Sequence, residues 1–216
     1  KNKQGVYSND SQQKMKYWLL GKAKGINDYP TIAVIGDSSI SESSKEYEIA
    51  FNLGKSLAEL GYNIKNGGLG GVMEAVFKGA KSSPKCRLGS TIAISPFSNA
   101  NEANQYADVV IPTGLDLLRN GFVVDADAVV VIGGGSGTLS EIAMAWQKYK
   151  LIIAFNNIEG WGKKLAGQKI DNRIRYQNIP EDCIYSANNV NEVINLLSKY
   201  LGLYTKKYHG IKWRKK

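Results

Sequence analysis

The chain has 216 residues, 43% of them hydrophobic, and a formal net charge of +9 at pH 7. That length suits one sizeable domain, and no apolar run reaches the ~18 residues that a membrane-spanning helix needs. The start of the chain also lacks the apolar core of a secretion signal, so the expectation is a cytoplasmic protein without membrane attachment.

The basic charge is concentrated at the ends. Residues 1–30 carry six lysines against Asp10 and Asp28, and residues 199–216 carry seven Lys or Arg and no acid. The stretch between them is slightly acidic, so nucleic acid is not expected as a partner of the body; a phosphate backbone would meet only the basic tail. Cys86 and Cys183 stand far apart, without a CxxC pair or a Cys/His cluster. They read as reduced thiols rather than a disulfide or a ligand pair.

In chain order, residues 1–30 form an N-terminal arm whose cluster Met15 to Leu20 is expected to dock on the domain or a neighbouring subunit. Thr31 to Gly36 is a first strand, running into the loop Gly36-Asp37-Ser38-Ser39. Ser43 with Glu46 makes a capping box for a helix that continues through Leu53, Leu57 and Leu60 and stops at Gly61. A strand over 62–65 ends in Asn66-Gly67-Gly68-Leu69-Gly70-Gly71, and a helix runs from Val72 to about Lys81. Strands follow over 90–95 and 107–111, then a helix over 115–124. The central strand, Ala128 to Ile132, stops in Gly133-Gly134-Gly135-Ser136-Gly137, and a helix continues from Thr138 to Lys148. A strand over 151–155, a helix near 161–166, a strand over 183–185 and a helix over 191–200 complete the body, and 201–216 is a basic C-terminal tail. Apolar strands without polar alternation, each separated by a helix or loop, predict an α/β fold. The expected form is a Rossmann-like, doubly wound parallel sheet in three layers, a single domain over 31–200 with basic terminal arms.

Loops that follow parallel strands gather on one sheet edge, where ligands of open α/β sheets bind. Both glycine loops belong there. A strand that stops in glycines and restarts as a helix offers backbone N–H groups and the positive end of a helix dipole to an anion. The predicted ligand is therefore a small phosphorylated molecule. Its expected contacts are Gly36, Asp37, Ser38, Gly68, Gly70, Gly71, Met73, Asn120, Gly134, Gly135, Ser136, Gly137 and Thr138. A dinucleotide fingerprint begun at Gly135 would need glycine where Ser140 stands. Gly54-Lys55-Ser56 lacks the glycine partner of a nucleoside-triphosphate loop, because Ile49 occupies that place.

Glu141 carries two readings. In Thr138-Leu139-Ser140-Glu141 it completes a capping box; as a carboxylate one turn into the helix it can also face a sugar whose phosphate sits on 135–138. Arg119 reads first as a surface ion pair with Asp116. Turn chemistry explains Asp37 and Ser38 as well as ligand contact does. With His209 the only histidine and no acidic cluster, no metal site is expected.

With both loops and Arg119 in hand, the sequence resembles the LONELY GUY-like superfamily, which includes cytokinin-activating phosphoribohydrolases, proteins long labelled lysine decarboxylases, and molybdenum cofactor carrier proteins. Its hallmark Pro-Gly-Gly-x-Gly-Thr-x-x-Glu corresponds to Gly133 in place of Pro, then Gly134, Gly135, Gly137, Thr138 and Glu141. The earlier glycine element corresponds to Gly67-Gly68-Leu69-Gly70-Gly71-Val72-Met73-Glu74. The resemblance implies catalytic roles for Glu141 and Arg119 in cleaving the N-glycosidic bond of a nucleoside 5′-monophosphate. It also implies a homodimer, no required cofactor, and a bound AMP-like nucleotide or molybdenum cofactor. Asn120 stands where the hydrolases have Lys, and Glu74 where they have Gly. Both departures are closer in wording to the carrier branch; the expected function is the phosphoribohydrolase, with a non-catalytic carrier or sensor of a phosphorylated pterin or nucleotide as the alternative.

Overall fold

The computed structural model describes residues 29–208 and 210. The cluster at 15–20, His209 and the last six residues lie outside them.

Seven parallel strands form one sheet: β1 (Thr31–Gly36), β2 (Asn63–Asn66), β3 (Thr91–Ser95), β4 (Val109–Pro112), β5 (Ala128–Ile132), β6 (Leu151–Phe155) and β7 (Ile184–Ala187). Their order is β4-β3-β2-β1-β5-β6-β7. Among the described residues six helices flank it: α1 (Lys45–Glu59), α2 (Val72–Lys81), α3 (Asn120–Val123), α4 (Ser136–Gln147), α5 (Trp161–Leu165) and α6 (Val190–Tyr200). This is the expected doubly wound α/β architecture.

Period-two geometry divides the core into two layers. Ile32, Val34, Val130, Ile132 and Ile153 pack on one face against Leu53 of α1, Val76 and Phe77 of α2 and Leu197 of α6. Ala33, Ile35, Val129, Val131 and Ile152 pack on the other against Val123 of α3 and Ile142 and Trp146 of α4. Every residue of β5 and β6 is buried, which is why both read as unbroken apolar runs.

Three local expectations change. The cap of α1 is Ser44, whose hydroxyl accepts from Tyr47 N at 3.2 Å, one residue beyond the predicted Ser43. The helix expected over 115–124 is broken into a 3-10 turn, Asp116–Arg119, and the short α3. Leu115, Leu117 and Leu118 are exposed there. Finally, α4 starts at Ser136 with Gly135 as cap and no capping side chain, so Thr138 lies inside the helix and the predicted Thr138–Glu141 box does not form.

Helices α1 and α2 touch backbone to backbone. A Cβ on Gly54 would lie 1.9 Å from Val76 O, and one on Gly79 would lie 1.9 Å from Phe51 O. The reciprocal glycines explain Gly54-Lys55-Ser56: its glycine serves helix packing. An alanine gains ~1 kcal/mol of helix propensity here but must push two backbones apart. Gly54→Ala is expected to destabilise by ~2–4 kcal/mol net, read as a lower urea midpoint. A midpoint equal to or above that of the parent would contradict this packing.

Candidate functional site

The sheet reverses direction of growth between β1 and β5, and the crevice outside their carboxyl ends is the switch point at which open α/β sheets bind ligands. Gly36 ends β1 opposite Ile132, the last residue of β5. A Cβ on Gly36 would meet Ile132 O at 2.3 Å, so only glycine lets the two strands meet there. Asp37 and Ser38 follow, both exposed.

The β2 loop forms one wall. Asn66 is completely buried; its side chain accepts from Gly68 N at 2.9 Å and donates to Met73 O at 2.9 Å, folding the loop over its own helix start. Asn104 holds the loop from outside, its backbone N donating to Gly68 O and its side chain to Leu69 O. Gly71 packs against the β1 loop, where a Cβ would sit 2.4 Å from Asp37 O, and Val72 N donates to that same oxygen at 2.9 Å. Met73 is buried beneath the loop, and Gly70 lies beside Ser38 O.

The β5 loop forms the other wall. Gly133 and Gly134 have φ of +60° and +90°, left-handed values that turn the chain up into α4. Gly135 and Ser136 are exposed, and a Cβ on Gly135 or Gly137 would meet nothing within 4 Å. The first α4 amide to find a carbonyl is that of Leu139, donating to Gly135 O at 3.0 Å. The amides of Ser136, Gly137 and Thr138 have no backbone acceptor among the described residues, and the first turn carries no acid. Gly135 and Ser136 open this junction to solvent, while Thr138 is buried behind them.

Arg119 is not the surface ion pair that its spacing suggested. It is 4% exposed and donates to backbone carbonyls: Nε to Ile94 O at 2.8 Å, Nη1 to Asp116 O at 2.9 Å and Nη2 to Gly67 O at 3.4 Å. Nη1 also reaches Asn120 Oδ1 at 3.2 Å. Of the five N–H groups of a guanidinium, one on Nη2 stays uncommitted. Asn120 carries the tie onward, donating to Ser140 Oγ at 2.8 Å, which in turn donates to Gly137 O at 2.7 Å.

Glu141 is buried, and its carboxyl makes no hydrogen bond among the described residues. Burial pushes its carboxyl up to about 7, against the opposing pull of the Arg119 charge. Asn66, Asn104 and Ser140 are structural members of the site that the motif reading missed. An Asn directly before two glycines is the one local signal, an Asx turn, that could have marked Asn66.

The model of the SLOG cluster4 family matches residues 29–194. The chain belongs to the SLOG cluster4 family. An uncharacterized protein from Archaeoglobus fulgidus is 43% identical over 57% of this chain and 78% of its own length. The solved structure of TM1055 is 31% identical, with a TM-score of 0.66 over 79% of this chain and 99% of that one. The molybdenum cofactor binding protein of the phototrophic bacterium Rippkaea orientalis is 29% identical, with a TM-score of 0.63 over 78% of this chain and 95% of that one.

The raised Glu141 value has a definite sign in stability. Below its ordinary value of 4.5 the group is protonated folded or unfolded and costs nothing. Between there and about 7 the unfolded state alone ionises, so the folded state loses ground, and above about 7 the loss is constant. Over this range the loss amounts to about 3 kcal/mol. Glu141→Gln is therefore expected to melt with the parent at pH 4 and increasingly above it up to pH 7, with a plateau beyond. A pH-independent difference, measured by thermal denaturation, would contradict the burial argument.

Proposed function

We propose that the protein binds a phosphorylated, nucleotide-type ligand across the switch-point crevice and hydrolyses its N-glycosidic bond, releasing a free base and ribose 5-phosphate. The observation that carries this reading is Glu141: a buried carboxyl without a partner among the described residues, held near neutrality, one turn above the open amides of α4.

The phosphate sits on the amides of Ser136, Gly137 and Thr138, with the Thr138 hydroxyl beside them, in the positive end of the α4 dipole. Gly36, Asp37 and Ser38 face the sugar, and Gly68, Gly70 and Gly71 border the base. Anchoring the phosphate brings the anomeric carbon towards Glu141, and the remaining Nη2 proton of Arg119 is left for a ligand oxygen. A carboxyl poised at about 7 is half ionised in neutral solution. It takes a proton from water as the oxygen attacks the anomeric carbon; the carbon–nitrogen bond breaks, and the departing base takes up a proton from solvent. General-base help of this kind contributes roughly 10²–10⁴ in rate.

A second reading is a carrier that holds a phosphorylated pterin, the molybdenum cofactor, without turnover. The similarity to the Rippkaea orientalis protein favours it. So does Arg119, whose guanidinium is largely occupied by backbone carbonyls, with Asn120 tied to α4 in place of a free cation. Among the described residues no group of three His, Cys, Asp or Glu is placed to hold a metal ion, so the protein would grip such a cargo by phosphate and ring.

A panel of nucleoside 5′-monophosphates incubated with the purified protein separates the two. The hydrolase reading expects free base from at least one of them, and a loss of 10²-fold or more in kcat in Glu141→Gln with binding retained. No free base at high protein concentration, together with a pterin phosphate retained in native mass spectrometry, favours the carrier.

The resemblance also implies a second copy. Leu117, Leu118 and Phe122, which are 62%, 79% and 58% exposed, lie on both sides of Arg119 and Asn120 and offer it an apolar surface. Leu118→Asp is expected to shift a dimer to monomer in light scattering, and a parent that is monomeric at micromolar concentration would remove this element.

A further inference from the structure

The crevice has two helix N-termini, and they are dressed differently. The first turn of α4 holds no acid, whereas that of α2 holds Glu74. Both dipoles present a positive end, but at α2 the carboxylate already meets it and repels any further anion. A phosphate is therefore directed to α4. Strands β5, β1 and β2 are neighbours, so at ~4.8 Å per strand the α4 and α2 loops stand roughly 10 Å apart. A nucleotide-sized molecule anchored at α4 and laid across β1 brings its heterocycle over Gly70 and Glu74.

What waits there is polar and unpaired. Glu74 Oε2 lies 3.9 Å from the point where a Cβ on Gly70 would be, and Ser38 O lies 3.3 Å from the same point, which puts the carboxylate between the β1 and β2 loops. Glu74 has no hydrogen-bond or ion-pair partner among the described residues, while its neighbours Lys78 and Glu42 pair with each other at 2.9 Å. Beside it stands Tyr47 of α1, 6% exposed, whose hydroxyl is buried with no partner among the described residues. Glu74, Lys78 and Glu42 are the charges around that hydroxyl, and the Lys78 ammonium stands at the edge of its hydrogen-bonding reach. The ammonium of Lys78 lies 5.7 Å from the centre of the Tyr47 ring and 6.0 Å from that of Tyr106. Helix-dipole compensation accounts for an acid in the first turn of α2. It does not account for a buried hydroxyl next to it that has no hydrogen bond within 3.5 Å among the described residues.

We propose that Glu74, with Tyr47 beside it, reads the heterocycle of the bound ligand, and that this heterocycle presents adjacent N–H donors, as the ring N–H and 2-amino group of a guanine or a pterin do. An ionised carboxylate only accepts, and its two oxygens match a ring N–H next to an exocyclic amine. Adenine offers a ring acceptor beside its amine and leaves one oxygen facing a lone pair. The Tyr47 hydroxyl can both donate and accept, and a polar ligand atom brought to Glu74 gives it the partner it lacks. This inference rests on the crevice being the ligand site and specifies which ligands it takes.

The test measures dissociation constants by calorimetry on the full chain in the Glu141→Gln background, where turnover is slowed at least ~10²-fold. The probes are GMP, 6-hydroxymethylpterin phosphate, AMP and ribose 5-phosphate. GMP or the pterin phosphate is expected to bind at least tenfold more tightly than AMP, and whichever of the two binds more tightly identifies the source of the ring. Adding Glu74→Gln should bring the preferred ligand to within threefold of AMP while leaving ribose 5-phosphate unchanged. Adding Tyr47→Phe should weaken the preferred ligand several-fold without lowering the melting temperature of the free protein. AMP binding as tightly as GMP and the pterin phosphate overturns the inference. So does a Glu74→Gln loss shared equally by ribose 5-phosphate, which would make the residue structural. Failure of all four probes to bind would instead bring down the reading of the crevice itself, and this inference with it.

Discussion

One buried guanidinium organises the crevice. Arg119 joins the end of β3, the start of the β2 loop and its own 3-10 turn through three backbone carbonyls, and through Asn120 and Ser140 the tie extends to the first turn of α4. Taking a charge out of water is expensive unless hydrogen bonds and an opposite charge compensate it. The carbonyls supply the first, and Glu141 with Asp116 the second. Asp116 takes part through its backbone: it adopts φ +48°, a left-handed value that aspartate tolerates better than most residues, and its carbonyl receives Nη1.

The same arrangement sets the chemistry of Glu141. Arg119 alone would hold that carboxyl low, but burial outweighs it and the group settles near neutrality. Because most of the guanidinium is committed elsewhere, it acts on Glu141 as a fixed field rather than as a hydrogen-bonding partner. The carboxyl thus keeps its acceptor atoms unpaired among the described residues, at a cost in stability of the folded protein.

Much of the fold was legible because its signals are local. The buried strands β5 and β6 and helix α2 run over the residues that their apolar patterns mark, and both glycine loops lie on one edge as parallel crossovers require. What was misread depended on long-range partners. Thr138 looked like a cap because capping boxes are recognised by spacing, yet the glycines before it let the helix begin earlier. Residues 115–124 read as one helix, yet Gly114 and Asp116 break it and leave Leu115, Leu117 and Leu118 outside. Arg119 looked like half of a surface pair because its true partners, Ile94 and Gly67, are 25 and 52 residues away. No pattern could show that the Tyr47 hydroxyl lacks a partner, since that depends on every element packed around it.

The seam between α1 and α2 has a mechanical meaning for the crevice above it. The chain enters α1 from the β1 loop and α2 from the β2 loop, and those loops are joined by Val72 N to Asp37 O as well. With the two helices locked backbone on backbone at Gly54 and Gly79, the loops share one rigid foundation. A disturbance far below, at the helix crossing, is therefore transmitted upward as a tilt of that whole wall rather than as slack in either loop alone.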